Sequence, residues 1–317
     1  MTGLIVRRLL WMLPVLWAAA TLVWVLMFLI PGDPARLLAG QNADPALLAH
    51  VRAEWGLDEA APIRYGRYLG KLARLDLGTS YVQHRRPVVT ILMEGFWKTL
   101  LLALSATGLS LVLGVGLGAI SAAGRSTWLD AAARGITTAA ISAPTFWVGL
   151  ILMLVFASTL GWFPITGYGG GPTLAGFRLP GASHLALPAA TLAIPSIGLL
   201  ARVARASIIE ESAKGYARAA QARGASPAST LLRHALANAM LPIVTLAGLN
   251  FGHLLGGAIA TETIFGWPGI GRVMMQALEA RDLPVVEGGV ILLTAVFLLV
   301  NLAVDLSYAW FDPRIRD

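Results

Sequence analysis

Six long apolar runs, separated by polar or glycine-rich stretches, set the pattern of this chain. They cover about Leu9–Ile30, Thr99–Ala123, Ile136–Trp162, Leu185–Val203, Ala239–Ile264 and Gly288–Trp310. Each is close to or above the ~20 residues a helix needs to cross a hydrocarbon core of about 30 Å, so each predicts a membrane-spanning helix. The first run follows Arg7 and Arg8 and contains Ala18-Ala19-Ala20, as a cleavable leader does. Its apolarity continues from Val23 to Ile30, too far for a cleaved segment, which points to an uncleaved first span. That span stops at Pro31-Gly32-Asp33-Pro34, where a helix cannot continue. Pro144 lies inside the third run, and Pro188 and Pro195 are expected to break the fourth. Such breaks are tolerated in a membrane where neighbours satisfy the freed backbone groups. Gly108, Gly114, Gly116 and Gly118 in the second run favour close helix packing.

The polar stretches are short, apart from residues 33–97. That segment predicts a small helical cap outside the membrane. Asp44 suits an N-cap with Pro45 at the first helical position and Gly56 at the end, and a second helix is expected from Pro62 to about Arg74. Thr166–Gly181 is glycine-rich and reads as a loop. Gly266–Gly271 reads as a turn leading into a short helix, Arg272–Ala280. The expected fold class is an all-α membrane protein with six transmembrane helices. Residues 1–317 form a single domain without internal repeat or soluble module.

Charge orients this arrangement. Charged residues make up 13% of the chain, about half the share of a soluble domain. Long loops cross a membrane regardless of charge, so the first one is left out of the count. With the N-terminus inside, the short inner segments hold Arg7, Arg8, Arg125, Arg134, Arg202, Arg205, Lys214, Arg218, Arg223, Arg233, Arg314 and Arg316. The short outer loops hold Arg178, Arg272 and Arg281. Twelve against three places both termini in the cytoplasm. The net charge of +7 is explained by this bias, and no basic stripe interleaved with aromatics points to nucleic acid. The chain has no cysteine, which excludes disulfides, thiol catalysis and thiolate metal sites.

Glu210–Pro242 is the one long amphipathic, basic segment between two strongly hydrophobic runs. It divides at Gly224, which suits a position after a helix end where positive φ is needed. Ser207–Arg223 before it is built of helix formers, and Ser226 after it reads as an N-cap with Pro227 in the first turn. Two short helices meeting at a sharp bend are expected. They form either a handle for a soluble partner or an ordinary surface hairpin.

The string Arg218-Ala219-Ala220-Gln221-Ala222-Arg223-Gly224, followed by His234-Ala235-Leu236-Ala237-Asn238, resembles the EAA loop of ABC importer permeases. Arg218 stands where that motif has an acid, His234 where it has an apolar residue and Ala237 where it has proline. The His-x-Leu-x-Asn form is similar to the dipeptide/oligopeptide/nickel subfamily. The likeness extends along the chain, through Arg7-Arg8-Leu9, Pro31–Pro34, Gly56-Leu57-Asp58, Arg67-Tyr68-Leu69, Asp76–Ser80 and Ser142–Phe146. It continues through Glu262–Phe265, Pro268–Arg272, Arg281–Pro284, Asn301-Leu302, Asp305, Tyr308 and Asp312-Pro313-Arg314.

This resemblance implies the type I importer permease fold in a bacterial inner membrane. It also implies a second, related permease, two ATP-binding subunits carrying ATP and Mg, and an extracytoplasmic solute-binding protein. The solute it implies is a di- or oligopeptide, glutathione or a nickel chelate. Residues 206–238 then form the coupling loop, with Arg218, Ala219, Ala220, Gly224, Ser226, His234, Leu236 and Asn238 shaping the ATPase contact. Segment 33–97 and the turn at Pro268, Gly269 and Gly271 are expected to face the binding protein. Asn250, His253 and Asn301 are candidates for lining a translocation path.

No Gly-x-x-x-x-Gly-Lys-Ser/Thr phosphate cradle occurs, so no cofactor is expected in this chain. No Gly-x-Ser-x-Gly, His-Glu-x-x-His or carboxylate pair within a span suggests an enzyme. Proton-coupled transport is the rival reading, with Glu262, Asp305 and His253 as its ionisable groups. Glu262 and Asp305 are expected to be solvated near helix ends, and His253 to make a helix–helix hydrogen bond. A channel is the second rival, with Gly266–Gly271 as a re-entrant loop.

Overall fold

A computed structural model describes residues 2–29, 35, 44–55, 58–83, 85–125, 127–174 and 177–311. The expected stop at Pro31–Pro34, the helix end at Gly56 and the tail Asp312–Asp317 lie outside the described residues. The helices are α1 (Thr2–Leu29), α2 (Pro45–Trp55), α3 (Ala61–Ala73), α4 (Val88–Ala123), α5 (Trp128–Ser142) and α6 (Thr145–Leu152). The hairpin β1 (Gly170–Leu174) and β2 (Phe177–Pro180) follows. Next come α7 (Ala182–Ala213), α8 (Gly215–Ala222), α9 (Leu236–Gly257), α10 (Ile259–Ile264), α11 (Ile270–Glu279) and α12 (Leu283–Phe311). Among the described residues five helices are long and apolar enough to cross a membrane, or six if the bent pair α5 and α6 with its π-helical extension counts as one span.

Two compact units divide the chain, one built on Lys98–Pro268 and the end of α12, the other on Thr2–Trp97 and Gly269–Leu298. In the first, α7 is the hub. Between apolar helices in lipid there is little hydrophobic drive, so small residues that let backbones approach carry the packing. Gly114 and Gly118 on α4 serve this purpose. A Cβ at Gly118 would lie 2.7 Å from both Ala201 O and Ala204 Cβ on α7, and one at Gly114 would lie 2.9 Å from Leu200 Cβ. Gly108 and Gly116 face open space, so two of the four glycines in this run make the close contact. From α7 itself, Gly198 closes on Thr137 O of α5, where a Cβ would stand 2.6 Å away. On the side toward α9, Leu200, Ala204, Ile208, Ala235, Ala239, Ile243 and Ala247 form one buried cluster. Asn250 on α9 donates to Ser196 Oγ on α7 at 2.6 Å.

The second unit joins α1, α3, the start of α4, α11 and the start of α12. Trp24 packs edge-on against Tyr65 with ring centroids 5.2 Å apart, and Thr21 shares a 2.6 Å hydrogen bond with the Tyr65 hydroxyl. Asp44 caps α2 as expected, accepting from Ala46 N and, at 3.2 Å, from Leu47 N. Asp282 is buried and accepts from Ser80 Oγ and from Tyr81 N at 2.9 Å. Two strings flagged separately in the sequence, Asp76–Ser80 and Arg281–Pro284, are thus the two halves of one joint.

Several elements depart from expectation. The third run is not a straight span: α5 and the helix beginning at Thr145 meet at 105°. Ala143 is extended at φ −78°, ψ 130°, the region into which the residue before a proline is pushed. The fourth run is not broken: Pro188 and Pro195 both sit inside α7. The second run starts eleven residues earlier than expected, at Val88 directly after Pro87, taking in the end of the outer segment. The glycine-rich loop contains an antiparallel hairpin with Gly170 opposite Pro180 and Leu174 opposite Phe177. Glycine is required at Gly171, where a Cβ would lie 2.2 Å from Leu179 O.

Glu262 is not solvated at a helix end but fully buried, with the Thr99 hydroxyl donating to it. His253 is exposed on α9 and makes no helix–helix hydrogen bond among the described residues. Gly266–Gly271 is a turn after α10 rather than an open loop. Its Trp267 is buried, stacks edge-on with Tyr168 at 4.7 Å and donates from Nε1 to Lys98 O at 3.2 Å.

Candidate coupling surface

The bent segment starts where α7 ends. Lys214 is extended at φ −72°, ψ 155°, which interrupts the helix and turns the chain into α8. The single helix expected over Ser207–Arg223 is therefore two. Its first part belongs to α7, and α8 is the short separate limb. After α8, Gly224 adopts φ +92°. Gly224 N donates to Gln221 O at 2.9 Å and Ala225 N to Ala220 O at 3.1 Å. This pair of bonds is the Schellman closure, which satisfies carbonyls left open at the helix end. Ser226 then caps the next turn, accepting from Ser229 N at 3.2 Å. Pro227–Ser229 and a π-helical stretch, Thr230–Ala235, run on into α9. The second limb is thus the leading end of a membrane helix rather than a free short helix.

This construction makes the elbow stiff. Ala217 and Ala220 of α8 are buried, as are Thr230, Ala235 and Ala239 of the second limb. The other face is open: Arg218, Ala219, Gly224, Ser226, Arg233 and Asn238 are exposed, while His234 and Leu236 are half-buried. Ala220, expected in a partner contact, instead packs inward. Asn238 donates to His234 O at 2.7 Å. The Tyr216 hydroxyl donates to Glu211 at 2.7 Å, and Lys214 reaches the other oxygen of Glu211 at 2.6 Å. Burial first, then the Glu211 carboxylate, pushes the Tyr216 hydroxyl up to about 12, so it remains a donor at physiological pH. The hydrogen bond it donates to Glu211 holds the Lys214 ammonium above its ordinary value.

Behind the elbow, a cluster missed in the sequence ties three helices together. Asp130, in the first turn of α5, is 2% exposed. It takes a two-pronged contact from Arg205 of α7, Nε at 2.8 Å and Nη2 at 2.9 Å, and a hydrogen bond from Ser121 Oγ of α4. Arg134 leans on the same carboxylate at 3.6 Å. Arg205 therefore belongs to an internal joint rather than to the exposed handle. The sequence signal was weak, a lone acid in a basic, apolar neighbourhood.

No hydrogen bond among the described residues joins the expected path residues. Asn250 is committed to Ser196, His253 is exposed, and Asn301 Oδ1 is buried without a hydrogen-bond partner among the described residues. At the turn expected to meet a binding protein, Gly269 and Gly271 are buried and Pro268 is half-buried. Gly95 presses on this turn, where its Cβ would lie 3.0 Å from Ile270 Cα. The surface offered beside it is that of α11, where Met275 and Leu278 are 43% and 50% exposed. The second unit also holds a cavity of about 360 Å³ lined by Arg64, Arg67, Lys71, Tyr68 and Glu287. Burial pushes the Tyr68 hydroxyl up, and that hydroxyl has no hydrogen-bond partner among the described residues.

Known proteins share the family and the fold of this chain. Residues 114–317 match the binding-protein-dependent transport system inner membrane component family, and residues 1–103 match its N-terminal companion. The chain belongs to that family. The permease is 37% identical over 316 residues to the glutathione transport system permease protein GsiC of Salmonella paratyphi A, covering 100% of this chain and 99% of the relative. It is 38% identical over 316 residues, with the same coverage, to a putative peptide transport system permease protein of Brucella abortus. Among solved structures, the MetNI methionine ABC transporter in inward-facing conformations shares the fold, with a TM-score of 0.54 and 17% identity. That match covers 71% of this chain and 97% of the other. The permease is thus a multi-pass membrane subunit of an ABC importer, not an enzyme, and ATP is hydrolysed by separate subunits.

Proposed function

We propose that this permease carries di- or oligopeptides, or a related small solute such as glutathione, and that its elbow is the seat of the ATPase. The observation that carries the reading is the two-faced elbow. Its buried alanines fasten it to α7, while Arg218, Ala219, Gly224, Ser226 and Asn238 lie open to a partner. A stiff projection fixed to the packing hub transmits a partner's movement to the spanning helices. A flexible one would absorb it. The names of the relatives support a peptide or glutathione solute. A nickel chelate is the remaining member of the same solute class.

The rest of the assembly follows from the same reading. The bias of twelve basic residues to three supports an elbow and two termini on the cytoplasmic side. Two ATP-binding subunits, carrying ATP and Mg, meet the elbows of this permease and of a related second permease. An extracytoplasmic binding protein meets segment 33–97 and the α11 surface near Pro268. The two access states are then biased from opposite sides, by ATP within and loaded binding protein without.

Reconstitution with these partners in proteoliposomes tests the proposal. Uptake of a labelled dipeptide or of glutathione should require both ATP and the loaded binding protein, and should stop when the catalytic residue of the ATPase is replaced. Uptake that persists on a proton gradient alone overturns it.

A further inference from the structure

A cavity of about 290 Å³ opens between α4, α5 and α7, beside the buried Asp130 joint. Its floor is made of small residues, Ala133 and Ala201, because Gly118 and Gly198 draw the three helices together just beside it. Three guanidinium groups, from Arg134, Arg202 and Arg205, stand around it. Asp130 neutralises Arg205 through the two-pronged contact, while Arg134 Nε stands 3.6 Å from its carboxylate and donates to Asp130 O at 3.4 Å. Arg202 has no ion-pair partner among the described residues. No acid lines the space, so it carries an excess positive charge of about two, which attracts an anion.

The position favours one kind of anion. The cavity lies near the end of α4 at Ala123 and the start of α5 at Trp128, which on the proposed orientation is the cytoplasmic end of these spans. Leu117 in the cavity wall shares its helical face with Leu113, one turn before it on α4, and Ile120, one turn after it, which are 45% and 54% exposed. A cationic mouth above an apolar track matches an amphiphile whose phosphate meets arginine while its chain follows the helix. Basic pockets between membrane helices on the cytoplasmic side hold anionic headgroups for this reason.

We propose that this cavity binds a phosphate group, carried by an anionic membrane phospholipid, with Arg134 and Arg202 as its ligands. The site is independent of which solute is transported. A lipid seated there bridges α4, α5 and α7 beside the elbow, so its occupancy couples membrane composition to the stiffness of the joint.

Native mass spectrometry of the full chain, purified in mild detergent and exposed to phosphatidylglycerol, phosphatidylcholine or inorganic phosphate, tests this. Replacing Arg134 and Arg202 by Gln should weaken phosphatidylglycerol binding by about thirtyfold, roughly fivefold per arginine. Phosphatidylcholine adducts should be unchanged, and the Arg202→Lys variant should retain most of the binding. Loss of inorganic phosphate binding in the Gln variant, with phosphatidylglycerol unaffected, would keep the phosphate site but assign it to the soluble ion. Equal binding of both ligands by the wild type and the Gln variant overturns the site. Arg202 is exposed and has no ion-pair partner among the described residues, so the single Arg202→Gln variant checks the result without disturbing the Asp130 joint.

Discussion

Replacing Gly224 separates the elbow's shape from its surface. The residue sits at φ +92°, and a Cβ there would meet nothing within 4 Å. The cost of a side chain is therefore backbone strain alone, about 1–2 kcal/mol for an ordinary L-residue in the left-handed region and less for Asn or Asp, which adopt it more readily. Gly224→Asn keeps the turn and adds no charge. Gly224→Asp keeps nearly the same shape and places a carboxylate on the exposed bend. The elbow around it is basic, with Arg218, Arg223 and Arg233 exposed, so if it seats the ATPase as proposed, the complementary groove is acidic. A new carboxylate facing an acidic groove meets like charge, at a cost of several kcal/mol where water is excluded. ATP-driven uptake in proteoliposomes should be largely kept by the Asn variant and lowered by tenfold or more in the Asp variant, about 1.4 kcal/mol or greater. Both should insert and melt like the wild type to within a few degrees. Asp and Asn variants that transport equally well would show that the bend does not face the motor.

Other substitutions probe the framework behind the elbow. Asp130→Asn should destabilise the permease by about 2–4 kcal/mol, because Arg205 loses its two-pronged partner in a site where the carboxylate was 2% exposed. The fall in melting temperature in detergent measures it, and a change under 1 °C would refute the joint. Gly118→Val must push α7 away from α4 and should cost about 1–3 kcal/mol by overpacking, whereas the same change at Gly116, which faces open space, should cost far less. Glu262→Ala leaves the buried Thr99 hydroxyl without its acceptor, at about 1–3 kcal/mol, and Glu262→Gln should recover most of this in the same melting assay.

How much of this was legible depended on the range of the interaction. The bend at Gly224, the cap at Ser226 and the cap at Asp44 follow from chemistry within four residues, and each appears as expected. The spanning runs were equally clear, since burial in lipid needs only length and apolarity. Prolines were less easily read. At Pro144 the chain bends by 105° because Ala143 before it is extended, while Pro188 and Pro195 leave α7 intact among close neighbours. Local sequence does not say which case applies. The joints were hidden for a different reason. Asp130 meets Arg205 across 75 positions and Ser80 meets Asp282 across 202, so neither pair leaves a pattern in a short window. Counting Arg205 with the basic handle was sound for orientation and silent about its partner. In the hairpin, glycine masked the strands, because the composition that marks a loop also permits the tight pairing at Gly171.

The chain contains no cysteine, so single thiols can be placed on the elbow without background. Ala219 is exposed and Ala220, its neighbour, is 4% exposed. Ala219→Cys should react with a membrane-impermeant maleimide only in inside-out vesicles, lose that reactivity when the ATPase subunits are bound, and form a cross-link to them. Ala220→Cys should resist labelling throughout. Labelling of Ala219→Cys from the outside of intact cells, or unchanged labelling in the complete transporter, would contradict the assignment of the elbow to the motor.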